Sequence, residues 1–217
     1  MECVLNGNSP YRKRYLASSA AFAYMAGNEA IMFIQTETTP NPNTLKFLPG
    51  QEVLGARTAF FTDTENAAVS PLASALFVLP DIRAIFFGSD FITVTKNDAS
   101  TWEILKPQIL TTMLEHYQSG NPLMVDEKPK ADSAPTSYSD DEQEIVDQIK
   151  ELLETRVRPA VAQDGGDIIF HSFKEGIVYL EMHGACSGCP SSTATLKSGI
   201  ENMLKHYVPE VTAVEPV

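Results

Sequence analysis

Hydrophobic positions change period several times along the chain, and those changes divide it. Thr39-Pro40-Asn41-Pro42-Asn43 cannot be helical, because each proline pushes the residue before it toward extended backbone; residues 44–47 then read as a short strand. Ser70 followed by Pro71 opens a helix with Leu72, Leu76 and Phe77 on one face, and Pro80 stops it. Residues 82–87 and 91–96 are rich in β-branched and aromatic side chains, and Gly88-Ser89-Asp90 joins them as a hairpin. Ser100 and Glu103 are spaced as a capping box for a longer helix carrying Trp102, Leu105, Ile109, Leu110, Met113, Leu114 and Tyr117, which Gly120 and Pro122 end. Trp102 is expected in the core, and His116 is expected to be solvated or to cap the negative end of the helix dipole.

The periodicity then lapses. Residues 126–137 contain no large apolar side chain and cannot bury enough surface to offset the ordering of their backbone, so 126–138 is read as a flexible acidic, proline- and serine-containing linker. Periodicity resumes at Ser139, which can box with Glu142, and Ile145, Ile149, Leu152, Leu153 and Val157 follow at helical spacing. Asp164-Gly165-Gly166-Asp167 turns the chain into a strand at 168–173. Lys174-Glu175-Gly176 turns it again into a strand at 177–182, with Val178, Leu180 and Met182 on one face. A final helix carries Leu196, Ile200, Met203, Leu204 and Tyr207; Pro209 closes it before a short strand near 211–214. The expected fold class is α+β: two small α/β-sandwich-like domains, 32–125 and 139–217, free to reorient across the linker.

Residues 1–31 match neither block. Arg12, Lys13 and Arg14 precede a small-residue run at 16–21, which suits a targeting segment; without a strong cleavage site or a long apolar core, a disordered extension is preferred. Cys3 lies here and is read as inert. No stretch reaches the apolar length of a membrane span.

The formal net charge of -12 argues against a nucleic-acid or anionic-membrane partner, either of which calls for a basic face. Three cysteines, two of them close together, do not suit a disulfide-stapled secreted domain and point to a reducing compartment.

Chemistry concentrates in Gly184-Ala185-Cys186-Ser187-Gly188-Cys189-Pro190-Ser191-Ser192. The C-x-x-C spacing lets Cys186 and Cys189 point at one centre, and thiolate selects iron-sulfur clusters, zinc or copper(I). Pro190 suits the first position of a helix, whose free backbone donors would stabilise negative sulfur; both thiols are therefore expected to be exposed and to ionise more easily than free cysteine. Two ligands fall short of the four that zinc or a 4Fe-4S cluster takes. Three readings stay open on the residues alone: a 4Fe-4S cluster shared by two copies, a thiol-disulfide oxidoreductase, or a structural zinc shared between subunits or completed by His183.

A resemblance orders them. Asp164-Gly165-Gly166-Asp167 with the cysteine stretch resembles the C-terminal NifU-like domain of Nfu-type iron-sulfur proteins. Residues 33–50 together with 87–96 resemble the N-terminal domain that precedes it in bacterial and mitochondrial members. The likeness runs from Met32 onward. It implies a non-enzymatic carrier that binds a labile 4Fe-4S cluster of iron and sulfide through Cys186 and Cys189, forms a homodimer on loading, receives the cluster from a donor scaffold and passes it to apo-proteins. It implies the bacterial cytoplasm, or the mitochondrial matrix in a eukaryote. The Asp164 and Asp167 carboxylates are hard ligands, so that turn is read as shaping the cysteine loop rather than ligating. The polar turn at 39–43 is a candidate partner surface.

Overall fold

The computed structural model describes residues 33–125, 138–188 and 190–217. Residues 33–125 build a five-stranded antiparallel sheet in the order β1-β2-β5-β4-β3. Its strands are β1 (Gln35–Thr38), β2 (Thr44–Leu48), β3 (Ala59–Phe61), β4 (Ile82–Phe87) and β5 (Ile92–Lys96). Three helices accompany it: α1 (Thr64–Ala67), α2 (Pro71–Phe77) and α3 (Trp102–Ser119). The Ser70 hydroxyl caps α2 by accepting from the Ala73 amide at 3.1 Å, and Gly120 ends α3 in the left-handed region at φ 68°. Phe47, Ile85, Phe86, Phe87 and Ile92 of the sheet are fully buried, as are Leu72, Leu76, Leu105, Ile109 and Met113 of α2 and α3. Each such side chain contributes about 1.5–3 kcal/mol on leaving water.

Residues 138–217 build a second sheet in the order β6-β7-β8. Helix α4 (Asp140–Leu152) runs through a π-helical turn, Leu153–Val157, into α5 (Arg158–Gln163). The strands β6 (Gly166–Lys174) and β7 (Ile177–Gly184) pair antiparallel through a turn with positive φ at Glu175 and Gly176. Helix α6 (Pro190–Tyr207) then returns the chain to β8 (Ala213–Pro216), parallel to β7. Val178, Leu180 and Met182 pack with Val146, Ile149, Leu153, Ile200 and Leu204 in one core. Ser139 opens α4 as expected, its amide and hydroxyl both donating to Glu142 Oε2.

The α+β class holds, while several local expectations do not. Strands β1 and β3 and helix α1 are additional to the sequence reading. Ser100 does not cap α3: the N-cap is Thr101, without a side-chain bond, and the Ser100 hydroxyl donates to Asp81 instead. Trp102 is half-buried rather than core, its Nε1 donating to Pro42 O at 3.0 Å. His116 is buried rather than solvated, edge-on to Tyr117, and that burial holds its pKa below the usual imidazole value. Tyr207 is 44% exposed; its ring and hydroxyl engage Arg156 at the surface. The linker expectation at 126–137 and the extension at 1–31 lie outside the described residues.

Candidate functional site

The site is assembled where β7 ends. Gly166 and Gly184 are paired across β6 and β7, and at Gly184, with φ 60°, the chain leaves the sheet. A tight turn follows: Ala185 N–H donates to Gly165 O, Cys186 N–H to His183 O, and Ser187 N–H to Gly184 O, at 3.1, 3.2 and 3.2 Å. The Thr193 hydroxyl on the first turns of α6 donates to Cys186 O at 3.1 Å and ties the loop to the helix. Gly166 is required by contact, since a Cβ there would overlap Cys186 Sγ and crowd His183 O at 2.9 Å.

Cys186 is a free thiol, only 6% exposed and part of the core of this half of the chain. This corrects the expectation of an exposed, easily ionised sulfur. Burial pushes the thiol up to about 12, and the carboxylates of Asp167 and then Asp164 add to the shift. A cavity of about 460 Å³ nevertheless opens beside it, lined by Pro40, Val161, Asp164, Ala185, Cys186 and Leu196 among others. Cys189 lies outside the described residues.

Asp167, next to the double glycine, is 4% exposed and fully engaged. Arg158 grips it with Nε to Oδ1 at 2.7 Å and a terminal nitrogen to Oδ2 at 2.8 Å; the Ile168 amide also donates to Oδ1 at 2.8 Å. The guanidinium is in turn raised in pKa, chiefly by its hydrogen bond with Asp167. Both Asp167 oxygens are thus committed to holding the start of β6, as the shaping role requires.

The first half of the chain covers this region. Asn41 Nδ2 donates to Ser187 O at 2.8 Å, and Lys46 Nζ to Gln163 O and Ala162 O at 3.0 and 3.3 Å. The Thr58 hydroxyl donates to Asp167 Oδ2 at 3.1 Å, and the Phe60 ring stacks on His183 with centroids 4.5 Å apart.

Residues 34–120 match the model of the scaffold protein Nfu/NifU N-terminal domain, and residues 149–215 match the NifU-like domain. The "NifU-like protein 4, mitochondrial" of Arabidopsis thaliana is 52% identical over 194 residues, 88% of this chain and 68% of that protein. The chain belongs to the Nfu/NifU-like family. The "NFU1 iron-sulfur cluster scaffold homolog, mitochondrial" proteins of Drosophila persimilis and Homo sapiens are each 50% identical over 187 residues. Each match covers 86% of this chain, with 65% and 72% of those proteins respectively. The chain spans about two thirds of the length of these relatives, and each is named as mitochondrial, so the bacterial cytoplasm finds no support here.

Within that Nfu/NifU-like frame, sequence reasoning located the cysteine loop and its shaping turn but missed four participants. Asn41, Lys46, Thr58 and Phe60 reach the loop from strands and turns more than a hundred residues away in sequence. The one available sign was the pair of glycines in Asp164-Gly165-Gly166-Asp167: Gly166 serves the sulfur, whereas a Cβ on Gly165 would press on Thr93 Cγ2 at 2.8 Å. His183, offered as a zinc ligand, instead stacks on Phe60 with Nε2 3.0 Å from Glu181 Oε1. Among the described residues no group of three or more His, Cys, Asp or Glu is placed to hold a metal ion. No described helix is long and apolar enough to cross a membrane.

Proposed function

We propose that this chain is a non-enzymatic iron-sulfur cluster carrier, whose cargo is a 4Fe-4S cluster held by Cys186 and Cys189 of two copies and then passed to apo-proteins. The observation that carries the reading is the position of the free Cys186 thiol beside an open cavity at the turn between β7 and α6. It occurs in a chain about half identical to proteins named iron-sulfur cluster scaffolds. The soft thiol suits iron, and the Cys186/Cys189 pair offers two of the four thiolates a 4Fe-4S cluster takes, which favours sharing across a twofold interface. Residues 32–125 and 139–217 act as the two domains and 126–138 as their linker. Cluster donors and recipients are other proteins, and the mitochondrial matrix is the compartment in keeping with the relatives' names.

A thiol-disulfide oxidoreductase using the same two cysteines is the alternative. Anaerobic reconstitution with iron and sulfide tests the proposal. It should give about four iron atoms per two chains and a dimer by native mass spectrometry. A stable monomer carrying a complete cluster overturns the shared site, and disulfide reductase turnover that survives iron chelation restores the alternative.

A further inference from the structure

Among the described residues, the hydrogen bonds given above between the two halves gather around the Cys186 loop. Asn41 holds the carbonyl of the next residue, Ser187; Lys46 holds the last carbonyls of α5, just before the double glycine; Thr58 holds Asp167, which follows it. Glycine contacts extend the pattern. A Cβ on Gly184 would come within 3.0 Å of Phe86 and 3.1 Å of Thr93 Oγ1, so the cysteine loop is cut to fit the face of β4 and β5.

The turn that delivers Asn41 is itself built for one shape. Its Oδ1 accepts from the Asn43 amide at 3.0 Å, its carbonyl accepts from the Thr39 hydroxyl and the Thr44 amide at 2.9 Å each, and Trp102 Nε1 holds Pro42 O. Asn41 is 1% exposed, although polarity alone made it a candidate for an external partner surface. Such a side chain loses solvation on burial, and Ser187 O is the group that replaces it.

We propose that the 39–43 turn and the face around Lys46 and Thr58 form an intramolecular cap over the Cys186 loop, which must withdraw before Cys186 can join a second copy on shared cargo. The proposal rests on the cluster reading above. A cluster shared across a twofold axis needs Cys186 Sγ at the surface, where another copy's sulfurs can approach, whereas here Cys186 is packed into the core of residues 138–217 and the first half clamps its loop in that position. The contacts holding the cap are a few hydrogen bonds, which can exchange with water, and the stack of Phe60 on His183. The fit is also incomplete: the Thr93 hydroxyl and His183 Nδ1 are buried at this contact with no hydrogen-bond partner among the described residues. Opening would solvate both, which favours an arrangement that can be released. The closed form keeps an empty carrier's thiol from adventitious metal and oxidant, and the first half of the chain thereby controls when cargo enters or leaves.

The test uses the full-length, metal-free chain and iodoacetamide, with alkylation of Cys186 followed over time by peptide mass spectrometry. Cys186 of the unaltered chain should react slowly, and the N41A/K46A double variant, checked for fold by circular dichroism, should react about tenfold faster. If that variant is unfolded, T58V takes its place, with a rate increase of about threefold expected. An unaltered Cys186 that reacts as fast as free cysteine, or a folded variant that reacts no faster than the unaltered chain, overturns the cap. Reconstitution run in parallel separates the two ideas. Faster alkylation with no iron uptake by any chain leaves the cap standing and removes the cluster reading; normal iron uptake with unchanged alkylation does the reverse.

Discussion

Gly166 and Cys186 touch so closely that no side chain can stand at position 166 while the sulfur keeps its place. Gly166 does not have positive φ, so the obstacle to a larger residue is contact and not backbone strain. Gly166→Ala should therefore act as an overpacking substitution, lowering stability by about 1–3 kcal/mol as Cys186 is forced aside. Urea unfolding of the metal-free chain measures the loss, and reconstitution should give less bound iron. An unchanged midpoint would mean that the sulfur rotates away at little cost.

Cys186→Ser separates a buried sulfur from an exposed one. On an exposed loop the change would leave the metal-free fold untouched. In the observed core it places a hydroxyl among apolar neighbours, including Val161 and Ile168, at a cost of about 1–3 kcal/mol when that hydroxyl finds no partner. Thermal melts of the metal-free chain should show the loss. Cluster uptake should vanish as well, because a hydroxyl is a poor soft-metal ligand.

Asp167→Ala should be among the more damaging single changes in the second half. The carboxylate is almost wholly buried and joins Arg158, the Ile168 amide and the Thr58 hydroxyl. Its removal leaves Arg158 without its main partner; since that side chain is 28% exposed, water compensates in part and the expected cost is about 3 kcal/mol. Denaturant unfolding of Asp167→Ala beside Arg158→Met tests the pairing. Similar losses in the two variants mark one shared interaction, and a harmless Asp167→Ala would refute its shaping role.

Local pattern made the regular elements legible. Val178, Leu180 and Met182 alternate onto one face of β7, and Ile200 and Leu204 repeat on α6, because each element meets its core through its own periodic stripe. The exposed edge strand β1, with the sequence QTET, has no apolar alternation, and β3 is three residues long; neither carries a readable period. Those short elements explain why the site was half legible. His183 looks solvated at a strand end until Phe60 of β3 stacks on it, and Cys186 looks exposed until Gly166 admits its sulfur. The cysteine spacing identifies the chemistry, while the burial of Cys186 arises from residues distant in sequence, which no local window reads.

A pH dependence should arise in the first half, away from the cysteines. His116 is 7% exposed, its Nε2 has no hydrogen-bond partner among the described residues, and burial lowers its pKa from the ordinary 6.5. The folded chain thus keeps the ring neutral at pH values where the unfolded chain has begun to protonate it. The unfolded state then binds more protons, so stability falls with falling pH. The contribution is complete above about 6.5 and is lost as pH falls through the lower folded pKa. His116→Phe removes the titration while retaining a buried ring. Melting temperatures of both chains, taken between pH 7.5 and 5, should show a steeper acid loss for the unaltered chain. Parallel curves would assign the acid sensitivity to other groups and place His116 in contact with water.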